Sequence, residues 1–212
     1  MLGIHPFPGT FLLALSQMKN TKKGENAVNY YISDPHLGHE NIIRMCQRPF
    51  ASIDEMDDCI MTHWNETVTN ADTIFILGDL TFKAERDPEW YLSRLKGKKV
   101  LIVGNHDRNW CTGAVAQKYF REIHNLHYIH DGKEELVLCH YPLMSWPHIT
   151  RAHMVFGHIH NTTKQSFWPL IQQNPLMLNA GVDVNHFRPV TLSQMIDNNA
   201  EFKSMHDPVI QV

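Results

Sequence analysis

Residues 99 to 107 read "KVLIVGNHD", an apolar run that stops at Gly104 and continues into an amide, an imidazole and a carboxylate. A short apolar run rich in β-branched residues predicts a buried strand. The glycine predicts a sharp turn that brings polar groups close to the strand end. The stretch therefore predicts a strand that delivers chemistry at its carboxyl end.

Five more runs of this kind predict strands, at 28–33, 73–77, 135–139, 153–156 and 176–182. Helical segments separate the early strands, which predicts a mostly parallel sheet, and the short links between the later strands predict a second sheet. Three N-cap signals predict helix starts: Ser52 with Glu55, Asp87 with Pro88, and Thr191 with Gln194. The pattern is that of a layered α/β sandwich.

The composition limits the class of protein. A chain of 212 residues with 43% hydrophobic content suits one domain over residues 1–212, in which 1–17 are a possible N-terminal extension. The formal charge of -3 gives no long-range field for nucleic acid or an anionic membrane.

The four cysteines are scattered, which favours a reducing cytoplasm. The apolar stretch at 10–15 is too short to span a bilayer, and we expect no export.

Each strong strand runs into a polar cluster, and ligands gather outside the carboxyl ends of strands in open α/β sheets. We therefore expect the clusters to converge. Their donors are carboxylate, amide and imidazole groups without a thiolate: Asp34, His36, Asp79, Asn105, His140, His158 and His160. This number exceeds the needs of one tetrahedral ion and predicts two divalent cations, with Mn, Fe or Zn favoured over Ca.

The order of these motifs, D-x-H, G-D, G-N-H-D, H and G-H-x-H from Asp34 to His160, resembles the calcineurin-like metallophosphoesterase superfamily. The stretches "SDPHLGHENIIR" and "NAGVDVNHFRPVT" are similar to small prokaryotic or phage members. The resemblance implies an α/β/β/α sandwich of four layers with two mixed sheets. It also implies a hydrolase of phosphate esters that works by in-line attack of a metal-bound hydroxide.

The resemblance further implies a role for each site residue. Asp34, His36 and His160 would hold one ion, Asn105, His140 and His158 the other, and Asp79 would bridge the pair. His106 would hydrogen-bond the phosphoryl group or protonate the leaving oxygen, and Asp107 would orient the ring of His106.

Residues near the motifs are open to two interpretations. His39, Arg44 and Arg188 are candidate substrate contacts, although a helix-start residue and solvated cations fit equally well. Asp183 lies close after the motifs, which favours a position near the site. The other interpretation is that it caps a turn. Pro35 is expected to hold Asp34 in the extended region that a strand end requires.

Two functions from different classes compete. A phosphodiesterase or phosphatase acting on small organic phosphates or nucleotides is favoured, because His106 and every expected ligand are present. The alternative is a non-catalytic protein-interaction scaffold on the same fold. The segments 143–152 and 161–175, the expected rim, carry no dense Lys/Arg cluster, which argues against a DNA-processing nuclease. The sequence leaves the oligomeric state open.

Overall fold

A computed structural model of the protein describes residues 27 to 206. Within this range the strands are β1 Asn29–Ile32, β2 Thr73–Ile76, β3 Lys98–Ile102, β4 Phe120–His124, β5 Leu126–Asp131, β6 Glu134–Cys139, β7 His153–Phe156 and β8 Met177–Asn179. The helices are α1 Glu40–Met45, α2 Ile53–Thr67, α3 Pro88–Leu92, α4 Ala114–Tyr119, α5 Trp168–Gln173 and α6 Leu192–Met205. The expected extension at 1–17 and the apolar stretch at 10–15 lie outside the described residues.

The strands form two sheets of four, in the orders β1-β2-β3-β4 and β5-β6-β7-β8. All strands of the first sheet are parallel, because helices carry the chain back after each strand. The prediction of a mostly parallel sheet is therefore confirmed here, and antiparallel pairing among the described residues of this sheet is limited to a bridge between Tyr31 of β1 and Val190. The prediction of a mixed sheet is confirmed for the second sheet, where β5 pairs antiparallel with β6 and the other pairs are parallel.

All six predicted strands are present, but β4 and β5 were not predicted from the sequence. Both are edge strands, and their polar residues, among them His124, His127 and His130, hide the apolar pattern. A strand at a sheet edge is half solvated, so its sequence need not be continuously apolar. The single residue Asn125 joins the two strands, so the chain passes directly from one sheet to the other.

Helix caps match the sequence signals in two of three cases. The Ser52 side chain accepts the Glu55 amide at the start of α2, and α6 begins with a complete capping box between Thr191 and Gln194. Asp87 makes no side-chain cap hydrogen bond at α3, which ends at Leu92. Pro88 at the first helical position is enough to start this short helix.

Three apolar clusters cover the faces of the sheets. One face of the first sheet, with Ile32, Ile74 and Leu101, packs against residues of α1 to α4. The opposite face shares a cluster with the second sheet, in which Phe75 and Ile102 meet Leu138 and Val155. The outer face of the second sheet packs against α5 through residues such as Phe156 and Trp168. The two sheets therefore bury a common core.

No helix between residues 27 and 206 combines the length and apolar character that crossing a membrane requires.

Candidate metal centre

The loops after β1, β2, β3, β6 and β7 meet at one end of the two sheets, as predicted. The link between the sheets is made by backbone: the Ser33 amide donates to Ala180 O at 2.9 Å, and the Val182 amide donates to Ser33 O at 3.0 Å. Gly157 N donates to His140 O at 2.9 Å, which joins the loops after β6 and β7. Short loops tied in this way hold their polar side chains in a fixed cluster.

A first group of donors consists of Asp34, His36 and His160, whose ligand atoms lie within 4.8 Å of one another. Asp34 and His36 are 0% and 2% exposed. Asp34 Oδ1 and both ring nitrogens of His36 are buried and find no hydrogen-bond partner among the described residues. Buried polar atoms without partners are costly, so these orphaned donors fit a bound cation.

A second group consists of Asp34, Asp79 and His140, again with ligand atoms within 4.8 Å. Asn105 Oδ1 lies 2.9 Å from His140 Nε2, which adds an amide oxygen to the group. His140 Nδ1 lies 2.7 Å from Leu77 O, a backbone carbonyl that can only accept. Nδ1 therefore carries a proton, and Nε2, on the side of Asp79, is the atom that could bind an ion, an arrangement typical of metal-binding histidines.

Asp79 lies between the two groups. Its Oδ2 atom is 3.6 Å from His36 Nε2 and 3.5 Å from His140 Nε2. Its Oδ1 atom accepts the backbone amide of His106 at 2.9 Å. Burial raises the pKa of Asp79, but the hydrogen bond and charge of His140 outweigh burial and bring this pKa down to about 2. Asp79 is thus an ionised carboxylate that belongs to the second group and also lies beside His36 of the first.

The carboxylates favour positive charge at the centre. Burial lowers the pKa of His140, yet Asp79 and Asp34 raise it to about 9. The pKa of His160 is likewise lowered by burial and raised, mainly by Asp183, to about 10. A site whose buried imidazoles are driven toward the cationic form carries excess negative charge, which divalent cations would neutralise.

His158 occupies the solvent side of the centre. Its side chain is exposed, its backbone amide donates to Asp34 Oδ2 at 2.8 Å, and its ring centroid lies 5.2 Å from that of His140. The ring also lies 4.7 Å from Tyr141. His158 therefore borders the second group, but its ring lies outside the two clusters of ligand atoms described above.

His106 stands at the opening of the centre. Its side chain is 30% exposed, and Nε2 lies 3.9 Å from Asp79 Oδ2. The ring lies against Phe82, with a centroid separation of 3.7 Å. The imidazole thus packs against an aromatic ring while part of its side chain remains accessible to a ligand.

Asp107 does not have the expected contact with the ring of His106. Its fully buried carboxylate accepts the amides of Asp79 and Gly104, both at 2.8 Å, and that of Leu80 at 3.2 Å. Burial raises the pKa of this carboxyl to about 6. Because both oxygens are used by backbone, the assignment of Asp107 as the residue that orients His106 is corrected: Asp107 joins the loops after β2 and β3.

The backbone of the centre is strained. Five of the seven predicted ligands have positive φ, namely Asp34 (54°), His36 (51°), Asp79 (54°), His158 (69°) and His160 (51°). The expectation that Pro35 keeps Asp34 extended is wrong, since Asp34 is left-handed despite preceding proline. Such conformations persist where surrounding contacts over-determine them, and they cluster at functional sites.

Two glycines allow the loops to approach. A Cβ on Gly157 would overlap Ser33 Oγ and Asp34 Oδ2, and a Cβ on Gly78 would lie 2.6 Å from both Gly104 Cα and His140 Nδ1. A side chain at either glycine would therefore crowd the site. Gly78 also has φ of +88°, a conformation that glycine adopts without penalty.

The three candidate substrate residues are placed differently. His39 is 7% exposed, lies beside His36 with a centroid separation of 5.4 Å, and has an Nδ1 atom without a partner among the described residues. Arg44 is exposed on α1. Arg188 is also exposed, and its charge opposes the rise that burial causes in the pKa of Cys59 on α2. The structure therefore brings only His39 of the three into contact with the predicted ligands.

Two buried residues behind the centre were missed or undervalued from the sequence. Arg48 was not singled out, and Asp183 was interpreted as a turn cap. The Arg48 guanidinium forms two hydrogen bonds with the Asp183 carboxylate, at 2.8 and 3.0 Å. Asp183 Oδ2 lies 3.1 Å from His160 Nδ1. Only the position of Asp183 close after the motifs could have indicated this contact.

Comparison with known proteins gives one long match in sequence. Uncharacterized protein MJ1445 of Methanocaldococcus jannaschii is 32% identical over 170 residues, which cover 79% of this chain and 88% of that protein. Gene 66 protein of Mycobacterium phage D29 is 35% identical over 82 residues, 37% of this chain and 40% of its own length. No family model matches the chain.

Among solved structures, the protein of unknown function AQ665 from Aquifex aeolicus has a TM-score of 0.61 and 26% identity, and the match covers 81% of this chain and 98% of that one. Pseudomonas putida nuclease MPE reaches a TM-score of only 0.39 at 21% identity, over 62% of this chain and 60% of that chain. The fold is thus that of the Aquifex protein. The extent and identity of the archaeal match show that the chain belongs to the same protein family as Uncharacterized protein MJ1445.

Proposed function

We propose that the protein is a metal-dependent hydrolase of phosphate esters with a dinuclear centre, a member of the calcineurin-like metallophosphoesterase superfamily. The order of its motifs, from Asp34 to His160, supports this assignment, as does the meeting of these residues at one end of the sheets. The fold we propose with it is a single domain over residues 1–212 with four layers, α/β/β/α. The three apolar clusters between helices, first sheet, second sheet and α5 support this layer order.

The observation that carries the proposal is the position of Asp79. One carboxylate oxygen, Oδ2, lies within 3.6 Å of an imidazole nitrogen from each donor group, His36 on one side and His140 on the other. A carboxylate in this position can bridge two cations about 3.5–4 Å apart. A single structural ion would leave no use for the second set of donors.

The donors divide between two ions. Asp34, His36 and His160 would hold one, Asn105, His140 and His158 the other, and Asp79 would bridge them. Oxygen and imidazole ligands without thiolate suit Mn, Fe or Zn. Bound there, the ions would supply Lewis acidity, which activates water and neutralises charge on a phosphoryl group.

The protein's own residues would bind and orient the substrate. His106, with its accessible edge beside Asp79, would hydrogen-bond a phosphoryl oxygen or hold the proton that the leaving oxygen takes up. Phe82 packs against the ring of His106 and supports its position. Asp107 keeps the loops that carry Asp79 and His106 at a constant separation.

The substrate we propose is a small organic phosphate ester or a nucleotide in the cytoplasm, cleaved as a diester or a monoester. The net charge of -3 supports a small substrate, because a protein that binds the backbone of a duplex needs a basic surface. Specificity would then come from contacts at the opening of the centre, where His39 and His106 flank Phe82 with centroid distances of 4.9 and 3.7 Å.

The test is a metal-reconstitution screen. Purified protein is stripped of metal, reloaded with Mn, Fe, Zn or Mg, and assayed against aryl phosphate monoesters, aryl diesters and then nucleotides. We expect hydrolysis with at least one transition metal, about two ions per chain, and no hydrolysis by the stripped protein. Failure to hydrolyse any substrate with every metal would reject the enzyme and favour a scaffold.

A further inference from the structure

We propose that Arg48 is a positioning residue for the first metal position, the one formed by Asp34, His36 and His160. This inference rests on the proposed function and goes beyond it, because Arg48 touches neither the reacting atoms nor the ligand atoms themselves. The guanidinium acts on His160 through Asp183 and on Asp34 and His36 through the backbone between them.

Arg48 is held entirely inside the protein. Its side chain is 0% exposed and that of Asp183 is 1% exposed. Nε and Nη2 of Arg48 donate to the two carboxylate oxygens of Asp183, at 2.8 and 3.0 Å. A planar guanidinium paired with a carboxylate through two parallel hydrogen bonds fixes both the distance and the plane of the partner.

Asp183 transmits this orientation to a proposed ligand. Its Oδ2 atom lies 3.1 Å from His160 Nδ1 and can accept the ring proton. Nε2 of His160 is then the nitrogen that is free to bind an ion. A carboxylate behind a metal-binding histidine fixes the tautomer and the orientation of the ring, which is the usual function of such a partner.

The remaining donors of Arg48 hold the loop of the other two ligands. Nη2 donates to the Asp34 carbonyl at 2.8 Å, and Nη1 donates to the Pro35 carbonyl at 2.9 Å. These carbonyls lie between Asp34 and His36, which both adopt positive φ. Because a left-handed residue before proline is disfavoured, contacts from outside the loop must maintain it, and Arg48 supplies two of them.

A different interpretation of the same residues is that Asp183 itself binds a metal ion. Ligand atoms of Cys46, His160 and Asp183 also lie within 4.8 Å of one another. However, both Asp183 oxygens already accept hydrogen bonds from a buried guanidinium, and a cation there would face the charge of Arg48 directly. The contacts therefore favour Asp183 as a partner of His160 over Asp183 as a ligand.

General stabilisation is a weak explanation for the pair. A buried ion pair often contributes little net stability relative to apolar residues of the same size, because two charges must be removed from water. The placement of Arg48 is also specific, since its hydrogen bonds reach both supports of one metal position: the loop of Asp34 and His36, and the carboxylate that contacts His160. Positioning accounts for this convergence.

The test measures metal binding and kinetics in Asp183→Asn and Arg48→Lys. Asparagine keeps the shape of Asp183 but loses the charge, and lysine keeps the charge of Arg48 but loses the planar pair of donors. The matched control is Glu135→Gln, which removes a carboxylate that binds Arg151 at 2.8 Å on the second sheet, away from the centre. Manganese stoichiometry by elemental analysis, Mn affinity by calorimetry, thermal melting and kcat are measured for each.

We expect the control to bind two ions like the wild type. Asp183→Asn and Arg48→Lys should retain one tight ion, with affinity for the other weakened about 10–100-fold. Raising the manganese concentration should restore their kcat toward the wild-type value, an effect that a merely destabilised fold would not show. Arg48→Lys also serves if Asp183→Asn folds poorly, because melting reports folding separately.

Two outcomes overturn the inference and can be told apart. If the wild type binds two ions and the variants bind both with unchanged affinity, Arg48 does not position the first ligands, while the proposed function stands. If the wild type binds no transition metal under any condition, the dinuclear centre itself is wrong, and the inference falls with it.

Discussion

The Oδ2 atom of Asp79, which follows β2 of the first sheet, lies 3.5 Å from Nε2 of His140, which follows β6 of the second sheet. The two residues are far apart along the chain. Neither donor group is complete without the loops of both sheets. The centre is therefore a product of the way the two sheets pack.

Replacing Asp79 by Asn should affect both metal positions together. The amide lacks the negative charge that lies between His36 and His140. We therefore expect the metal content to fall from about two ions per chain to below about one, and hydrolysis to be lost. Elemental analysis after dialysis measures this. Retention of two ions by Asp79→Asn would show that the carboxylate does not bridge.

His106→Ala should separate turnover from metal binding. The ring is removed, but the backbone amide that donates to Asp79 Oδ1 at 2.9 Å remains. We expect kcat to fall about 10²–10⁴-fold with metal content unchanged. His130→Ala, an exposed position on β5, is the control and should keep wild-type turnover. Equal rates in both variants would remove His106 from the mechanism.

Asp107→Asn should weaken the fold of the metal-free protein. An asparagine can accept with only one oxygen, so at least one of the buried amides of Asp79, Leu80 and Gly104 loses its partner. An unsatisfied buried donor costs about 1–3 kcal/mol. Urea unfolding at pH 7.5 measures the change, with His106→Ala as the comparison. An unchanged midpoint for Asp107→Asn would contradict the role of this carboxylate in joining the loops.

Gly157→Ala should be far more damaging than Gly113→Ala. The new methyl group at 157 would overlap Ser33 Oγ and Asp34 Oδ2, whereas at 113 the nearest atom is Trp110 O at an ordinary 3.7 Å. We expect a loss of about 1–3 kcal/mol in unfolding free energy at 157 and reduced metal affinity. Thermal melting and calorimetry report the two effects. Similar behaviour of the two variants would show that the close approach at Gly157 is not required.

Lys99 should contribute to the pH dependence of stability between pH 8 and 10. Burial lowers the pKa of Lys99 to about 8, from an ordinary value of about 10.4. In this interval Lys99 binds more protons in the unfolded chain than in the folded one, so its contribution to the unfolding free energy increases with pH, by up to about 3 kcal/mol. The raised pKa values of His140 and His160 act in the opposite direction. Lys99→Met should reduce the slope of urea stability against pH.

A contribution of the same sign should remain in Lys99→Met, because burial also lowers the pKa of Lys203 to about 8. The exposed Lys133→Met serves as the control and should keep the wild-type slope. If Lys99→Met retains the full slope, Lys99 is not buried as a perturbed cation.

The sequence by itself determined the motifs and most of the strands that carry them. Runs such as 73–77 and 99–103 are apolar because both faces of their sheet are buried, and buried strands have an unmistakable pattern. Gly104 was interpretable because only a residue without a side chain allows the loops to approach so closely. Local pattern is sufficient for these features.

Only the tertiary structure decided the partners of the donors. Edge strands β4 and β5 escaped notice because half-solvated strands tolerate polar residues. Asp107 was assigned to its neighbour His106, but its carboxylate is used by amides of the loop after β2 as well as by Gly104. Arg48 and Asp183 are 135 residues apart and meet inside the protein. Hydrogen bonds over such separations depend on how the sheets pack, which no local pattern records.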